Sequence, residues 1–276
     1  MTGPVSFKAA CIQLRSSGDV AENIRDTSAL VREAAGQGAR FIATPENTNI
    51  MAQDGRAKLA ATFDEAHDPS LPAFAELSKD LKVWLLAGSL HIKVSETKTA
   101  NRSYLFAPDG CIAARYTKIH LFDSTVASGE SYRESSTVEP GHQAVLADTE
   151  FGPLGMTVCY DLRFPQLYRR LALKGAFAFT IPSSFTVPTG EAHWHVLMRA
   201  RAIENGAFVI APAQGGLHAN GRKTYGHSLI VAPWGEVLAE AGTEPGVIIA
   251  EIDPQLSAEA RAKVPSLQHD RDFTGP

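Results

Sequence analysis

The chain has 276 residues, 44% hydrophobic and 20% charged, which is the balance of a soluble globular protein and excludes disordered or collagen-like classes. Lys and Arg number 26 against 30 Asp and Glu, a formal charge of −4 with no dense basic cluster, so no nucleic-acid partner is expected. At roughly 150 residues per domain, the length allows one large domain or two modest ones. No apolar run reaches the ~18 residues of a membrane span, and Met1–Arg15 lacks the apolar core of a secretory signal, so no membrane association is expected. Cys11, Cys111 and Cys159 are scattered without a Cys-x-x-Cys pair, which argues against a disulfide framework or structural zinc and suits a reducing cytoplasm.

In chain order, Phe7–Leu14 reads as a strand and Val20–Ala35 as an amphipathic helix ended by Gly36 and Gly38. Ala39–Thr44 is a second strand stopped by Pro45. Leu71, Phe74, Leu77 and Leu81 keep helical spacing, and Val83–Ile92 follows as a buried strand. Strand pairs then flank Pro108-Asp109-Gly110, Phe151-Gly152-Pro153 and Pro233-Trp234-Gly235, which are hairpin signals. Helices Pro165–Lys174 and Glu191–Asn205 end at Gly175 and Gly206, each followed by a short strand, Phe179–Ile181 and Phe208–Pro212. Such alternation implies mixed sheets covered by helices, a layered α/β sandwich in one domain, with a polar, helix-poor tail from Ser257.

Three residues stand at the carboxyl ends of predicted strands, where α/β sheets gather functional groups. Cys159 follows the strand Leu154–Val158 and precedes a turn into the helix at Pro165, which Asp161 is expected to cap. A thiol beside unpaired helix N–H groups is either a stabilised nucleophile or a small buried hydrophobe. Cys11 and Cys111 sit inside strand patterns and read as core. Glu46, directly after Pro45, is either a partly desolvated base or a solvent-facing carboxylate. Lys118, followed by Ile119-His120-Leu121-Phe122, is either a cation for a developing oxyanion or a lysine snorkelling from a strand end. Arg163, four residues after Cys159, is either a bidentate carboxylate clamp or half of a structural salt bridge. His193 and His195 are two apart on a helix and do not form a metal pair, while His120 and His227 read as hydrogen-bonded supports. Gly215-Gly216 lacks the spacing of a nucleotide loop.

The order Pro45-Glu46, Lys118-Ile119-His120-Leu121-Phe122 and Cys159-Tyr160-Asp161-Leu162-Arg163-Phe164-Pro165 resembles the nitrilase superfamily of carbon–nitrogen hydrolases. The likeness runs from Phe7 to about His269. The segments Phe185–Trp194 and Tyr225-Gly226-His227-Ser228 are most similar to its Nit branch, which holds deaminated glutathione amidases and omega-amidases.

The resemblance implies a four-layer α-β-β-α sandwich spanning residues 1–276. It implies a homodimer or higher homo-oligomer, whose contacts are the helix at Pro165 and the tail 257–276. It also implies a Glu46-Lys118-Cys159 triad, with Glu134 as a second glutamate orienting Lys118 and the substrate amide; Glu130 lies close enough to be confused with it. Tyr160, through its backbone N–H, Arg163, Phe185 and Thr186 are the expected substrate-binding residues. The expected reaction is hydrolysis of a small carboxylated amide through a cysteine thioester, releasing ammonia, with no metal or organic cofactor. An omega-amidase acting on dicarboxylate monoamides is the alternative. A nitrile hydrolase, a Cys-His peptidase and a non-catalytic carboxylate-binding protein stand behind it. The polar run Asn47-Thr48-Asn49 departs from the family's pocket residues and leaves the exact amide open.

Overall fold

Period-two alternation in the first strand sets the layering. Along Phe7–Gln13, the side chains of Phe7, Ala9 and Cys11 enter one apolar cluster, while Ala10 and Ile12 enter another. The second cluster is closed by helices α1 (Val20–Gly36) and α3 (Ser70–Leu81), which contribute Val31, Ala34, Leu71, Phe74 and Leu77. The Asp19 side chain caps α1 by accepting from the Glu22 N–H at 3.0 Å. The computed structural model describes residues 5–125, 129 and 131–275; Glu130 lies outside them.

The first sheet runs, in spatial order, Gly246–Ile252, Phe7–Gln13, Phe41–Ala43, Trp84–Lys93, Thr99–Phe106 and Ile112–Thr117, with Val138–Glu139 beside Thr99–Phe106. Its centre is parallel, with Ala9 opposite Phe41 and Phe41 opposite Trp84. The second sheet runs Val237–Glu240, Leu229–Val231, Phe208–Ala211, Ala178–Thr180, Gly152–Met156 and Val145–Thr149. Its outer face carries α4 (Pro165–Leu173) and α5 (Val187–Asn205), and Phe179 meets Tyr168 of α4 edge-on with ring centroids 5.1 Å apart. The two sheets pack face to face between these helix layers. The result is the α-β-β-α sandwich expected from the sequence.

Several details differ from the sequence reading. A short polar helix, α2 (Gly55–Ala61), precedes α3 and buries none of its residues, so no apolar stripe announces it. Helix α5 starts at Val187 rather than Glu191, because Pro188 fits the first turn of a helix. The tail from Ser257 is not helix-poor at its start: α6 (Gln255–Lys263) buries Ser257 and Ala260. The Ser257 hydroxyl donates to Gly206 O at 2.6 Å and Arg261 Nε to Asn205 O at 3.0 Å, so α6 docks on its own chain. Cys111 is exposed in the turn before Ile112–Thr117, not core, whereas Cys11 is fully buried.

Candidate active site

Glu46, Lys118, Glu134 and Cys159 come from four separate segments and line one cavity of about 530 Å³, the size range of small-molecule sites. Lys118 Nζ donates to Glu46 Oε1 at 2.8 Å and to Glu134 Oε2 and Oε1 at 2.8 and 3.1 Å. The ammonium is 1% exposed, so this is a buried ion cluster and not a snorkelling lysine. Burial alone would pull Lys118 down, but Glu134, Glu46 and Cys159 outweigh it and hold the ammonium well above the ordinary lysine range. Burial also pushes the Glu134 carboxyl up, yet Lys118, the Phe122 N–H and Asn101 bring it below the usual carboxylate range. Burial, and then the Glu46 charge, raise the Cys159 thiol well above its ordinary value against the pull of Lys118. The resting sulfur is therefore a thiol with a carboxylate beside it.

Local folding explains each position. The strand Gly152–Met156 runs out through Thr157 and Val158 into a 3₁₀ turn, Cys159–Arg163. Cys159 sits there at φ 49°, a left-handed conformation unusual for a non-glycine residue and a candidate mark of function. Its N–H donates to Pro182 O at 2.9 Å, which ties the turn to the neighbouring strand's exit. Tyr160 N–H lies in the first turn of that short helix, where amides have no intrahelical partner.

Glu46 follows the strand Phe41–Ala43 on a turn anchored from three sides. Gln214 Nε2 donates to Glu46 O at 3.0 Å, the Thr48 hydroxyl donates to Pro45 O at 2.6 Å, and Gly88 lies against the turn's backbone. A Cβ on Gly88 would fall 1.7 Å from Thr44 O and 2.7 Å from Pro45 O, so only glycine fits there. Thr48 and Asn49 are buried in hydrogen bonds, and of the polar run only Asn47 lines the cavity.

Asp161 does not cap the helix at Pro165. It is fully buried: Oδ1 accepts the His120 N–H and Nδ1 at 3.1 and 2.7 Å, and Oδ2 accepts the Tyr116 hydroxyl at 2.6 Å and the Val158 N–H at 2.9 Å. One carboxylate thus clamps the segment that carries Lys118 to the turn that carries Cys159. His120 stacks on Phe164 at 3.5 Å between ring centroids, closing the same joint. His120 is therefore the hydrogen-bonded support expected of it, as is His227, whose Nδ1 lies 3.0 Å from Glu240 Oε1.

Arg163, Tyr160, Phe185 and Thr186 all line the cavity. The Arg163 guanidinium lies 5.9 Å from the Tyr160 ring centroid and 5.8 Å from that of Phe185, and donates to His193 Nδ1 at 3.2 Å. Among the described residues it has no carboxylate partner, so the salt-bridge reading of Arg163 is not what the structure shows. Thr186 stands at the N-cap position of α5 without a side-chain capping bond, and its hydroxyl lies 2.8 Å from that of Thr189.

Sequence reasoning missed Asn101, whose Nδ2 bridges Glu46 Oε1 and Glu134 Oε1 at 3.0 and 3.1 Å. It also missed Lys58 and Arg222, two further cavity cations. Lys58 sits on unread α2, and Arg222 in a turn between two short strands, Gly215–Leu217 and Lys223–Tyr225. No histidine lines the cavity among the described residues. His195, His227 and Glu240 form a group with the spacing of metal ligands, but it lies outside the cavity and its nitrogens already bond Glu240 Oε1.

Comparison with known proteins gives the family. Residues 8–262 match the family model described as carbon-nitrogen hydrolase. A deaminated glutathione amidase of Synechocystis is 41% identical over 95% of this chain and 97% of its own length. The human omega-amidase NIT2 is 34% identical over 96% and 95%. Among solved structures, the NitFhit protein of C. elegans superposes with a TM-score of 0.91 at 32% identity over 98% of this chain, which spans 66% of that longer protein.

Proposed function

We propose that this chain, which belongs to the carbon–nitrogen hydrolase family, is an amidase cleaving a small carboxylated amide of the deaminated glutathione type through a thioester on Cys159. One observation carries the reading: Lys118 Nζ sits between Glu46 and Glu134, 2.8 Å from each, in the same cavity as the Cys159 thiol. In this mechanism Glu46 takes the thiol proton as sulfur attacks the amide carbonyl. Lys118 and the Tyr160 N–H receive the oxyanion. Glu46 returns the proton to the leaving nitrogen as the C–N bond breaks, then activates the water that releases the acid. The leaving group is ammonia from a primary amide and the parent amine from a secondary one. Arg163, with no carboxylate partner among the described residues, supplies the charge that selects an amide bearing an acid.

Intact mass spectrometry of the protein mixed with carboxylated amides should show an acyl adduct that is absent from Cys159→Ala. An adduct that persists in that variant would defeat the proposal. The omega-amidase reading draws on the same Arg163 guanidinium, since one clamp suffices for a monoacid; parallel kcat/KM values for deaminated glutathione and alpha-ketoglutaramate separate the two. A Cys-His peptidase is disfavoured by a cavity wall without histidine. In that case Glu46→Gln would leave burst-phase acylation intact.

The exposed apolar residues Leu173 on α4, Val196 and Ile203 on α5, and Leu256 and Val264 near the tail support a homodimer through this helical face. Sedimentation as a monomer at working concentration would remove that part. Three free cysteines fit a reducing compartment such as the cytoplasm, and no helix among the described residues is long and apolar enough to cross a membrane.

A further inference from the structure

Among the described residues three acidic side chains line the cavity, and all have occupations. Glu46 and Glu134 are held by Lys118, and Asp54 caps α2 by accepting the Ala57 N–H at 2.8 Å. The cavity nevertheless presents further cations with no carboxylate partner among the described residues, Lys58 and Arg222 among them. Lys58 Nζ lies 3.1 Å from His91 Nε2, a nitrogen that also lies 2.7 Å from Asn47 Oδ1, so at least two of the three ammonium donors have no acceptor among the described residues. Arg222 donates from Nη2 to Ser184 O at 3.2 Å, its Nη1 faces only the Met51 sulfur at 3.9 Å, and its buried Nε has no hydrogen-bond partner among the described residues. The guanidinium is oriented over the Tyr132 ring, 5.5 Å from its centroid. Lys58 and Arg222 also lie within each other's electric field, an unfavourable pairing that an anion between them would relieve. A buried guanidinium donor without an acceptor, in one cavity with a second cation that has no carboxylate in contact among the described residues, is a site built for an anionic ligand.

We propose that Lys58 and Arg222 form a second carboxylate subsite, holding an acid on the amine side of the scissile bond while Arg163 holds the acid on the acyl side. The inference rests on the amidase reading and narrows its substrate to dianionic amides. The side follows from position. Lys58 Nζ lies 3.1 Å from His91 Nε2, which lies 2.7 Å from Asn47 Oδ1, and Asn47 directly follows Glu46, so Lys58 stands on the cavity wall that carries Glu46, the group that must protonate the departing amine. A primary monoamide has no group for this subsite, whereas a secondary amide whose amine ends in a carboxylate does.

The test compares deaminated glutathione with its C-terminal carboxamide, two substrates with the same acyl group and the same scissile amide that differ only in the distal charge. Wild-type kcat/KM should favour the carboxylate by about tenfold or more, chiefly through KM. In Arg222→Gln and Lys58→Gln the preference should collapse towards parity, with Arg222→Lys restoring part of it. Equal wild-type rates for both substrates, or a preference that survives in both variants, would overturn the subsite while leaving the amidase reading standing. Absence of hydrolysis of any carboxylated amide by the wild type would instead overturn that reading and this inference with it. Thermal melts of each variant identify a misfolded one, and because the two residues lie on separate elements, the other still decides.

Discussion

Asp161→Asn removes one charge and a single acceptor from the buried joint between the two reactive segments. The carboxylate uses both oxygens, Oδ1 for His120 and Oδ2 for Tyr116 and Val158. Asparagine has one oxygen, so in either rotamer its NH₂ faces one of these donor pairs. Each pair contains a backbone N–H, that of His120 or that of Val158, which loses its acceptor. An orphaned N–H costs about 1–3 kcal/mol, and turning the surviving bonds from charge-assisted to neutral removes about another 1–2 kcal/mol. The expected loss is about 2–5 kcal/mol out of the ~5–15 kcal/mol typical of a folded domain. Because the same joint sets the distance between Lys118 and Cys159, kcat should fall about a hundredfold even in the folded fraction, as expected for a reacting group displaced by about 1 Å. Urea denaturation and steady-state kinetics on one preparation check both. Destabilisation below about 1 kcal/mol with unchanged kcat would show that Asp161 holds nothing that matters.

Gly88→Ala should cost more than the ~1–3 kcal/mol of ordinary overpacking, because the new methyl meets backbone oxygens of the Glu46 turn and not a flexible side chain; thermal melts and kcat report it together. Alkylation of Cys159 by iodoacetamide, in a Cys111→Ser background because Cys111 is exposed, should show no thiolate plateau between about pH 6 and about pH 9. Glu46→Gln removes an influence that raises the thiol, so its alkylation profile should move to lower pH while amide hydrolysis collapses; unchanged profiles would contradict the Glu46–Cys159 coupling. Glu134 is held below its unfolded value, so its contribution to stability is complete above about pH 4.3 and is lost as pH falls through the folded value. Glu134→Gln should therefore flatten the acid limb of a stability–pH curve, and an unaltered limb would argue against the Lys118 pairing.

The candidate set that the structure brings into one cavity was legible because each member ends a strand with a clear pattern: Ala39–Thr44 stopped by Pro45, Cys111–Thr117 before Lys118, and Leu154–Val158 before Cys159. The supports were not legible, for physical reasons. Asp161 stands where a helix cap would stand, and nothing local shows that Tyr116 and His120, more than forty residues earlier, fold onto it. Asn101 reads as the start of a strand, and its bridging of two carboxylates depends on a backbone bond from the Lys118 N–H, one step beyond the Arg102–Thr117 pair, that only the sheet register fixes. Lys58 lies on a helix that buries no side chain, so periodicity carries no signal there. Cys111 looked like a strand residue, but the Pro108-Asp109-Gly110 turn extends one residue further and leaves it in solvent.

The hydrogen bonding of Lys118 bears on how the proposed chemistry is timed. At rest all of its contacts go to carboxylates, two on Glu134 and one on Glu46, so no donor is idle and oriented at an absent oxyanion. When Glu46 takes the thiol proton it becomes neutral, and its attraction for the ammonium falls at the moment negative charge develops on the substrate oxygen. Proton transfer thus releases the cation to the oxyanion, while Glu134, still ionised and held by the Phe122 N–H at 2.7 Å, keeps Lys118 from following it out of place. This division of labour gives the two glutamates unequal roles although both touch the same ammonium. It requires that Glu46→Gln abolish acylation. It equally requires that Glu134→Gln weaken oxyanion stabilisation through a misplaced lysine while some acylation survives. Identical acyl-enzyme yields from the two variants would rule it out.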